Sequence, residues 1–300
     1  MKPIFAGFLA LVVAASFTGN KLRQPPSART QSTSVEAAPM ITVIAGGDVM
    51  LARSVNTKSQ KERDFTWAFK NIAQEFSAAD ISLINLETPM SEKCPLTDTG
   101  TVFCAPAGHV QGLKTAGIDV ANLANNHIRD QGQAGLDFTI TTLLQNGISP
   151  IGFSGAIKEI KGIRFGFLGF NAMEKISEES VITQIKKQKD QVDILIATFH
   201  WGTEYSAVSN STQKNLARLS IDSGADAVVG HHPHWVQESE IYQGKPIYYS
   251  LGNLIFDQPW SEKTRQGLVV KLFFSGKNFL TAQELPIIIS NLGQPRFTGQ

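Results

Sequence analysis

A cluster of histidines follows a short apolar run in the C-terminal half of the chain. The segment Ala225–His234 reads ADAVVGHHPH, so His231, His232 and His234 are three of the chain's six histidines. Pro233 favours an irregular turn, because proline fixes its own φ and biases the preceding residue towards an extended conformation. On such a turn the imidazoles can converge on one cation, whereas on a continuing strand His231 would point away from the other two. The cluster predicts a metal or phosphate site, with a polar turn as the alternative.

Other apolar runs of strand length also end in possible metal ligands. In α/β proteins, sites form outside the carboxyl ends of the strands, where the loops converge. Five of the six histidines stand at such ends, and only His109, in the helix-like segment Pro106–Lys114, does not. Carboxylates, amides and imidazoles together suit Zn, Mn or Fe better than Ca or Mg. The candidates outside the histidine cluster are Asp48, Glu87, Asn126, His127, Asp130 and His200.

Taken singly, each candidate has an ordinary structural interpretation. A Gly-Gly-Asp sequence such as that ending at Asp48 is common in turns, and an asparagine such as Asn126 can cap a helix or bond to the backbone. His200 could pack against the neighbouring Trp201, and Glu204 is more simply a solvated carboxylate. The functional interpretation therefore depends on the whole set.

Alternation of apolar runs with helical patterns predicts an α/β domain. The apolar residues of Gln213–Ile221 recur at helical spacing, and so do two further sets: Phe65, Phe69, Ile72 and Phe76, and Leu136, Ile140, Leu143 and Leu144. Unbroken apolar strands indicate a sheet covered on both faces. After residue 250 the strands follow one another, which predicts an antiparallel end to the fold. The predicted strands are Ile41–Ala45, Ile81–Ile84, Asp119–Leu123, Ile163–Phe170, Val192–Phe199, Ala225–Val229, Pro246–Ser250, Gly267–Phe274 and Glu284–Ile289.

The N-terminus has the composition of an export signal. Lys2 precedes the apolar run Ile4–Phe17, which is shorter than the about 20 residues that a membrane span needs. We expect residues 1–18 to be a signal peptide, with an uncleaved anchor or a buried helix as alternatives. Residues 19–40 are rich in Pro, Ser, Thr and Gln and predict a disordered linker before a domain at residues 41–300. The predicted location is periplasmic or extracellular, with membrane attachment through the N-terminus as a further option.

Two cysteines, Cys94 and Cys104, flank a turn-rich segment. In an exported protein this spacing predicts a disulfide, whereas a cytosolic protein would keep two free thiols. The chain has no other cysteine, which argues against a thiolate metal site. The formal net charge of +1 and the lack of a basic stripe give no reason to expect nucleic-acid binding.

Several motifs together resemble the CapA family of capsule and poly-γ-glutamate biosynthesis proteins. They occur in order along the chain from about residue 41 and cover nearly all of the expected domain. The resemblance implies the calcineurin-like metallophosphoesterase fold, an α/β sandwich of two mixed β-sheets flanked by helices. The motifs are GDVMLAR (Gly47–Arg53), NLETP (Asn85–Pro89), LANNHIRDQG (Leu123–Gly132), HWGTEY (His200–Tyr205), GADAVVGHHPHWVQ (Gly224–Gln237) and YSLGNLIFD (Tyr249–Asp257).

The resemblance also implies roles for the candidate residues. In the metallophosphoesterase pattern of Asp-x-His, Gly-Asp, Gly-Asn-His, a lone His and Gly-His-x-His, Met50 stands where the first histidine would be. His127 matches the general acid, oriented by Asp130. The sequence His-His-Pro-His departs from the last motif, so whether His231 or His232 partners His234 stays open. The implied metal ligands are Asp48, Glu87, Asn126, His200, His231, His232 and His234, for one or two divalent ions.

The resemblance implies an exported, metal-dependent protein of capsule or poly-γ-glutamate synthesis, export or release. Its activity would be hydrolysis by metal-activated water of a phosphoester or a γ-glutamyl amide. Its implied partners are an anionic polymer such as poly-γ-glutamate and a membrane-bound capsule synthesis complex. Two alternatives are a non-catalytic polymer-binding or export-complex subunit with a degenerate metal site, and a secreted phosphoesterase unrelated to capsule.

Overall fold

The computed structural model describes residues 14–15 and 38–299, and the folded unit begins at Ala38. Its helices are α1 (Arg53–Glu62), α2 (Ala73–Ser77), α3 (Val110–Thr115), α4 (Gly132–Gln145), α5 (Glu178–Lys189) and α6 (Ser211–Asp222). Its strands are β1 (Met40–Val49), β2 (Ile81–Leu86), β3 (Met90–Ser91), β4 (Ala105–Pro106), β5 (Val120–Asn122), β6 (Ser149–Ile151), β7 (Ala156–Ile160), β8 (Ile163–Asn171), β9 (Ile194–His200), β10 (Ala227–His231), β11 (Ser239–Tyr242), β12 (Lys245–Tyr248), β13 (Asn253–Ile255), β14 (Gln266–Ser275), β15 (Asn278–Ile289) and β16 (Pro295–Phe297).

Two mixed sheets face each other in the described part of the chain. The first runs β16-β15-β14-β1-β2-β5-β6, with β13 also paired to β1, and the second runs β11-β12-β10-β9-β8-β7. Val43 and Ala45 pack with Phe167 and Ile196 of the second sheet in a buried core between the sheets. Ile44, the residue between them, belongs to the core on the outer face of the first sheet. This alternation, which follows from the two-residue period of a strand, covers both faces of β1.

Helices complete the outer layers. On the first sheet the buried helical residues include Val55 of α1 and Leu136 of α4. On the second sheet, Val181 of α5 and Leu216 of α6 pack on the strands. The predicted fold class, an α/β sandwich of two mixed sheets flanked by helices, is confirmed in its layers. The antiparallel C-terminal end is also confirmed, since β14, β15 and β16 form an antiparallel ladder.

A bulge near the end of β1 sets the position of the first site residue. The register with β2 shifts between Ala45 and Asp48, so two glycines lie in the irregular stretch. A Cβ atom on Gly47 would lie 1.9 Å from the carbonyl oxygen of Gly252, so only glycine fits this close approach of two backbones. Beyond the bulge β1 changes one partner, from β14 to the parallel strand β13.

Most predicted elements are present, and the errors are local. Each of the nine predicted runs overlaps an observed strand, with ends that differ by one or two residues in several cases. The segment Phe65–Phe76, predicted as helical, instead holds a 3-10 turn at Trp67–Phe69 and the short helix α2. The polar helices α1 and α5 and several short strands have no clear apolar period, and we did not predict them. In α1, for example, the apolar residue Val55 is the only one among ten.

The N-terminal predictions lie almost entirely outside the described residues. The signal peptide at 1–18 and most of the linker at 19–40 therefore stay predictions, although Met40 already belongs to β1. Within the described residues, no helix is both long enough and apolar enough to cross a membrane. The disulfide between Cys94 and Cys104 is confirmed.

Candidate metal centre

Four polar residues form a row across parallel strands of the first sheet, three of them near the carboxyl end of their strand and Asn253 at the start of β13. Asp48 of β1 is in register with Asn253 of β13 on one side and with Asn85 of β2 on the other, and Asn85 is in register with Asn122 of β5. The Asn122 amide donates to Asn85 Oδ1 at 3.0 Å, and the Asn85 amide donates to Asp48 Oδ1 at 2.8 Å. These hydrogen bonds hold the fully buried Asp48 carboxylate at a fixed position.

Histidines from the second sheet surround Asp48. His234 Nδ1 lies 3.3 Å from Asp48 Oδ2, and His231 Nδ1 lies 3.6 Å from Asp48 Oδ1. The backbone amide of His232 donates to Asp48 Oδ2 at 3.2 Å. The parallel pairing of His231 with His200 brings the ends of β9 and β10 to the same level. Residues from both sheets therefore meet at one edge of the sandwich.

Glu87 lies at the centre of this group. Its Oε1 is 3.7 Å from His200 Nε2 and 3.9 Å from both His234 Nε2 and His127 Nε2. Both carboxylate oxygens of Glu87 are fully buried and have no hydrogen-bond partner among the described residues. A buried, unpartnered carboxylate is costly, since its charge has lost the solvation of water. A cation bound between Glu87 and the histidines would compensate that charge.

Two groups of side chains have the geometry of a divalent metal site. Asp48, Glu87 and His200 form one group and Glu87, His232 and His234 the other, with ligand atoms in each group within 4.8 Å of one another. Glu87 belongs to both groups, which is the position of a bridging ligand. Asn126 Oδ1 accepts a hydrogen bond from His200 Nε2 at 2.8 Å, which places an amide oxygen beside the first group.

The turn after β10 decides how its histidines point. His232 and His234 both have positive φ values, 96° and 57°, so the chain leaves the strand direction as Pro233 predicted. Asn253 donates both amide hydrogens, to Gln258 Oε1 and to the carbonyl of Thr264, so its Oδ1 accepts from His234 Nδ1 at 2.9 Å. His234 Nε2 is thereby left facing Glu87.

The arrangement favours His232 as the partner of His234. His231 is fully buried against Asp48 but lies outside both three-residue groups. Its two ring nitrogens have no hydrogen-bond partner within the described chain. Of the two histidines, His232 is thus the one that lies with His234 beside Glu87.

Burial and charge set the protonation of the site. Burial would raise the pKa of Asp48, but the hydrogen bond and charge of His234 outweigh it and hold that pKa well below its usual range. Burial would lower the pKa of His234, but Glu87 and Asp48 raise it to about 9. Burial raises the pKa of Glu87 well above its ordinary value. The raised pKa values of His234 and Glu87 favour their protonated forms, and a divalent cation would compete with protons for these groups.

Burial disfavours the charged form of the other three histidines around Asp48. Burial lowers the pKa of His231 and of His232 to about 4, and the pKa of His200 falls well below its ordinary value for the same reason, with His232 contributing. A neutral imidazole keeps a lone pair on one ring nitrogen, which is the form that binds metals. Donor type and charge therefore both fit a divalent transition metal.

His127 stands at the open side of the centre. Its Nδ1 donates to Asp130 Oδ2 at 2.9 Å, which directs Nε2 towards Glu87. The Phe103 ring lies on the imidazole, with ring centroids 4.1 Å apart and planes tilted by 30°. The Phe103 backbone amide donates to the same Asp130 oxygen at 2.7 Å, and its carbonyl accepts from Gln131 at 2.9 Å.

The disulfide-closed segment that carries Phe103 is held by Arg53. The Arg53 Nη1 atom donates to the carbonyl of Gly100 at 3.2 Å, and its guanidinium carbon lies 5.2 Å from the centre of the Phe103 ring. Asp257 fixes the other side of Arg53 through an ion pair and accepts the Ser54 amide at 3.0 Å. The order of this segment is therefore linked to the position of His127.

All nine residues singled out from the sequence lie at or beside the centre. His109, set apart because it lacks a strand-end position, is buried elsewhere against Phe65 and bonds to Asn56. Met50, in the place of the expected first histidine, is buried with Ala52, Phe103 and Phe256. Its sulfur accepts the Ala52 amide at 3.1 Å.

Sequence reasoning missed the residues that orient the ligands. Asn85 stands with Glu87 in the motif NLETP, where the resemblance favours Glu87 as the ligand, and Asn253 stands in the motif YSLGNLIFD. Asn122 lies on a predicted strand without such a signal. No sequence signal indicates Phe103, because its contact with His127 depends on the path of the segment between the cysteines.

Comparison with known proteins identifies the family of this chain. The family model described as bacterial capsule synthesis protein PGA_cap matches residues 42–258. The chain belongs to this family. PGA biosynthesis protein CapA of Bacillus subtilis strain 168 is 29% identical over an alignment of 288 residues, and the alignment covers 88% of this chain and 74% of that protein. Capsule biosynthesis protein CapA of Bacillus anthracis is also 29% identical, over 85% of this chain and 69% of its own length.

Solved structures identify the fold. A novel phosphatase from Mycoplasma pneumoniae superposes with a TM-score of 0.57 at 15% identity, covering 84% of this chain and 94% of that one. A hypothetical protein from Thermus thermophilus gives a TM-score of 0.56 at 15% identity, over 82% of this chain and 98% of its own. The predicted metallophosphoesterase-like fold of this family member is confirmed.

Proposed function

We propose that the protein is a metal-dependent hydrolase that acts on an anionic capsule polymer of the poly-γ-glutamate type. Family membership and the names of the two CapA relatives support the polymer. The buried, unpartnered carboxylate of Glu87 carries the proposal of a metal, since neutral imidazoles and a second carboxylate surround it. Asp48, Glu87, Asn126, His200, His232 and His234 would hold one or two divalent ions, with His231 supporting Asp48.

A divalent ion at this centre would polarise the bond to be cleaved and lower the pKa of water, which makes hydroxide available near neutral pH. His127 would donate a proton from Nε2 to the departing group. Asp130 would hold the hydrogen on Nδ1, because its carboxylate accepts that hydrogen bond. The proton that is donated would then be the one on Nε2. Phe103 would limit the rotation of the imidazole and exclude water from one of its faces.

The same residues could serve a phosphoester or a γ-glutamyl amide. In both reactions the leaving group takes up a proton, and poor leaving groups need it most. We favour the amide, because the polymer named for the relatives is joined by amide bonds. The fold likeness to a phosphatase is a likeness of fold alone and does not decide between them.

A non-catalytic, polymer-binding subunit is the second candidate. Met50 favours it, since a thioether in an apolar cluster replaces an expected histidine and leaves one group with fewer ligands. Membership of a membrane-bound capsule synthesis complex would fit this candidate. Turnover of a γ-glutamyl oligomer by the purified, metal-loaded protein separates the two.

The test begins with metal content. Purified wild type should bind one or two equivalents of Mn, Zn or Fe, and Asp48→Asn and His234→Ala should each lower that content sharply. His109→Gln is the matched control, because it removes a buried histidine outside the centre. Loaded wild type is then assayed on poly-γ-glutamate and on an aryl phosphate. Equal metal content in all variants would refute the metal centre, and a loaded protein without turnover would refute the hydrolase.

We also propose that the protein is exported. The apolar run Ile4–Phe17 after Lys2 supports this, and so does the disulfide, since disulfides persist in oxidising compartments. Fractionation of cells that express the full chain should recover it outside the cytoplasm. Full-length protein confined to the cytosol would contradict the proposal.

A further inference from the structure

A cavity of about 330 Å³ opens beside the candidate metal centre. Its walls come from the loops after β5, β6 and β8, so it lies at the carboxyl ends of strands of both sheets. Asn126 lies in its wall and also contacts His200, which makes that side chain common to the cavity and the centre. A substrate group bound in the cavity would therefore lie next to the reacting bond.

The cavity carries a cation suited to carboxylate binding. Arg129 lines it and stacks over the Phe153 ring, with 5.4 Å between the guanidinium carbon and the ring centre. The Arg129 Nη1 atom donates to Gln133, and within residues 38–299 no carboxylate lies at ion-pair distance from Arg129. Arginine presents several N–H donors in a planar fork that matches a carboxylate.

The other polar groups in the cavity match an amide-linked chain. Asn171 uses its Oδ1 to accept the Met173 amide at 3.1 Å, so its amide hydrogens are left for an acceptor. Glu174 offers a carboxylate that can accept an N–H but would repel a second anion. Arg129 and Glu174 together thus fit a residue with one carboxylate and one amide N–H.

A second cavity lies next to the first. Phe153, 52% exposed, also lines a second cavity of about 260 Å³ together with the apolar side chains of Leu144 and Ile157. An extended polymer that enters at the metal centre can pass along Phe153 into this second cavity. Its methylene groups would lie on the apolar residues while a carboxylate faces Arg129.

We propose that the cavity beside Asn126 binds an acidic residue of an amide-linked polymer, with Arg129 as the ligand of its free α-carboxylate. This inference rests on the proposed function, because it takes the polymer from it. It adds a binding residue and a path for the bound polymer, which runs from the metal centre past Phe153.

The test measures equilibrium binding, so that it does not depend on turnover. A γ-linked tetraglutamate is titrated into metal-loaded wild type, Arg129→Ala, Arg129→Lys and Arg296→Ala. Arg296 is a matched control, because it is exposed on β16, at the opposite end of the first sheet from β6. A second ligand is the same peptide with its α-carboxylates converted to amides. Unchanged metal content and circular dichroism show that each variant is folded.

We expect Arg129→Ala to raise the dissociation constant of the tetraglutamate about 10- to 100-fold, which is typical for hydrogen bonds to a charged group. Arg129→Lys should recover part of this, and Arg296→Ala should match wild type. The amidated peptide should bind weakly and equally to wild type and Arg129→Ala. Equal losses in Arg129→Ala and Arg296→Ala would overturn the inference, as would tetraglutamate that fails to bind wild type.

Titration with inorganic phosphate distinguishes a carboxylate-binding site from a phosphate-binding site. Phosphate that binds through Arg129 while the tetraglutamate does not would overturn the carboxylate assignment. Failure of the hydrolase proposal is a separate result, since it appears as Arg129-dependent binding without cleavage. Cleavage with Arg129-independent binding would instead refute the subsite and keep the hydrolase.

Discussion

The disulfide should affect both stability and the candidate active site. Replacing Cys94 and Cys104 with serine opens a loop whose ends are ten residues apart in sequence. In the chain-entropy model a loop of this size contributes about 3 kcal/mol to the free energy of unfolding. For a domain of this size each kcal/mol corresponds to about 2–4 °C in Tm, so we expect a fall of roughly 6–12 °C.

Opening the loop should also reduce the rate of hydrolysis, because the loop helps to position His127. Phe103 next to the bridge covers the imidazole and bonds to Asp130, and Gly100 inside the loop is the contact of Arg53. Greater freedom of this segment would loosen the hold on His127. General acid catalysis contributes about 10²–10⁴-fold, which sets the upper limit of the loss. Metal content should not change, because the segment supplies no candidate ligand.

The assay combines urea unfolding, metal analysis and initial rates. Wild type treated with reductant should approach the double serine variant, and the variant itself should not respond to reductant. Phe103→Ala in the oxidised protein should reproduce the rate loss for substrates with poor leaving groups, and Phe103→Tyr should restore much of it. Equal stability of wild type and the serine variant would refute the loop argument. Loss of metal in Phe103→Ala would refute the positioning role.

Three further predictions concern substitutions at single positions. His127→Ala should keep its metal and fold while turnover falls about 10²–10⁴-fold, less for substrates with good leaving groups, and a metal-free variant would reject the general-acid role. Burial lowers the pKa of His109 to about 3, so between pH 6.5 and pH 3 the unfolded chain binds a proton that the folded chain does not. Stability should fall as pH drops through this window by at most about 1.4 kcal/mol per unit, and urea unfolding of His109→Gln should show a flatter profile, whereas parallel profiles would contradict this. Gly47→Ala would place a Cβ 1.9 Å from the Gly252 carbonyl oxygen, so we expect a loss of about 3 kcal/mol or more in urea unfolding, and wild-type stability would be contrary to it.

The sequence predicted the parts of the centre that stand at the ends of apolar strands. Asp48 and His200 follow runs whose length and apolarity identify buried strands, and parallel strands bring their carboxyl ends to one edge. The position of a strand in the sheet fixes the place of its last residue, so the positions of these ligands can be predicted from the strands. It also explains why His109, on a helix-like segment, was correctly set apart.

The sequence could not predict contacts that depend on turns and side-chain orientation. The choice of His232 over His231 depends on positive φ values after β10, which the residue types do not determine. The contact of Phe103 with His127 depends on the course of a closed loop. Helix α1 was missed because Val55 is its only apolar anchor, so its position comes from tertiary contacts.

The polar row across the first sheet has a consequence for the order of folding. His232 and Asp48 are 184 residues apart in sequence, and Asn253, which orients His234, lies further along the chain. Contacts this distant form late, because the loop between them must first be closed. A growing chain cannot assemble the ligands from its N-terminal half alone. Metal uptake would therefore follow the docking of β13 onto β1, which brings Asn253 beside Asp48 and His234.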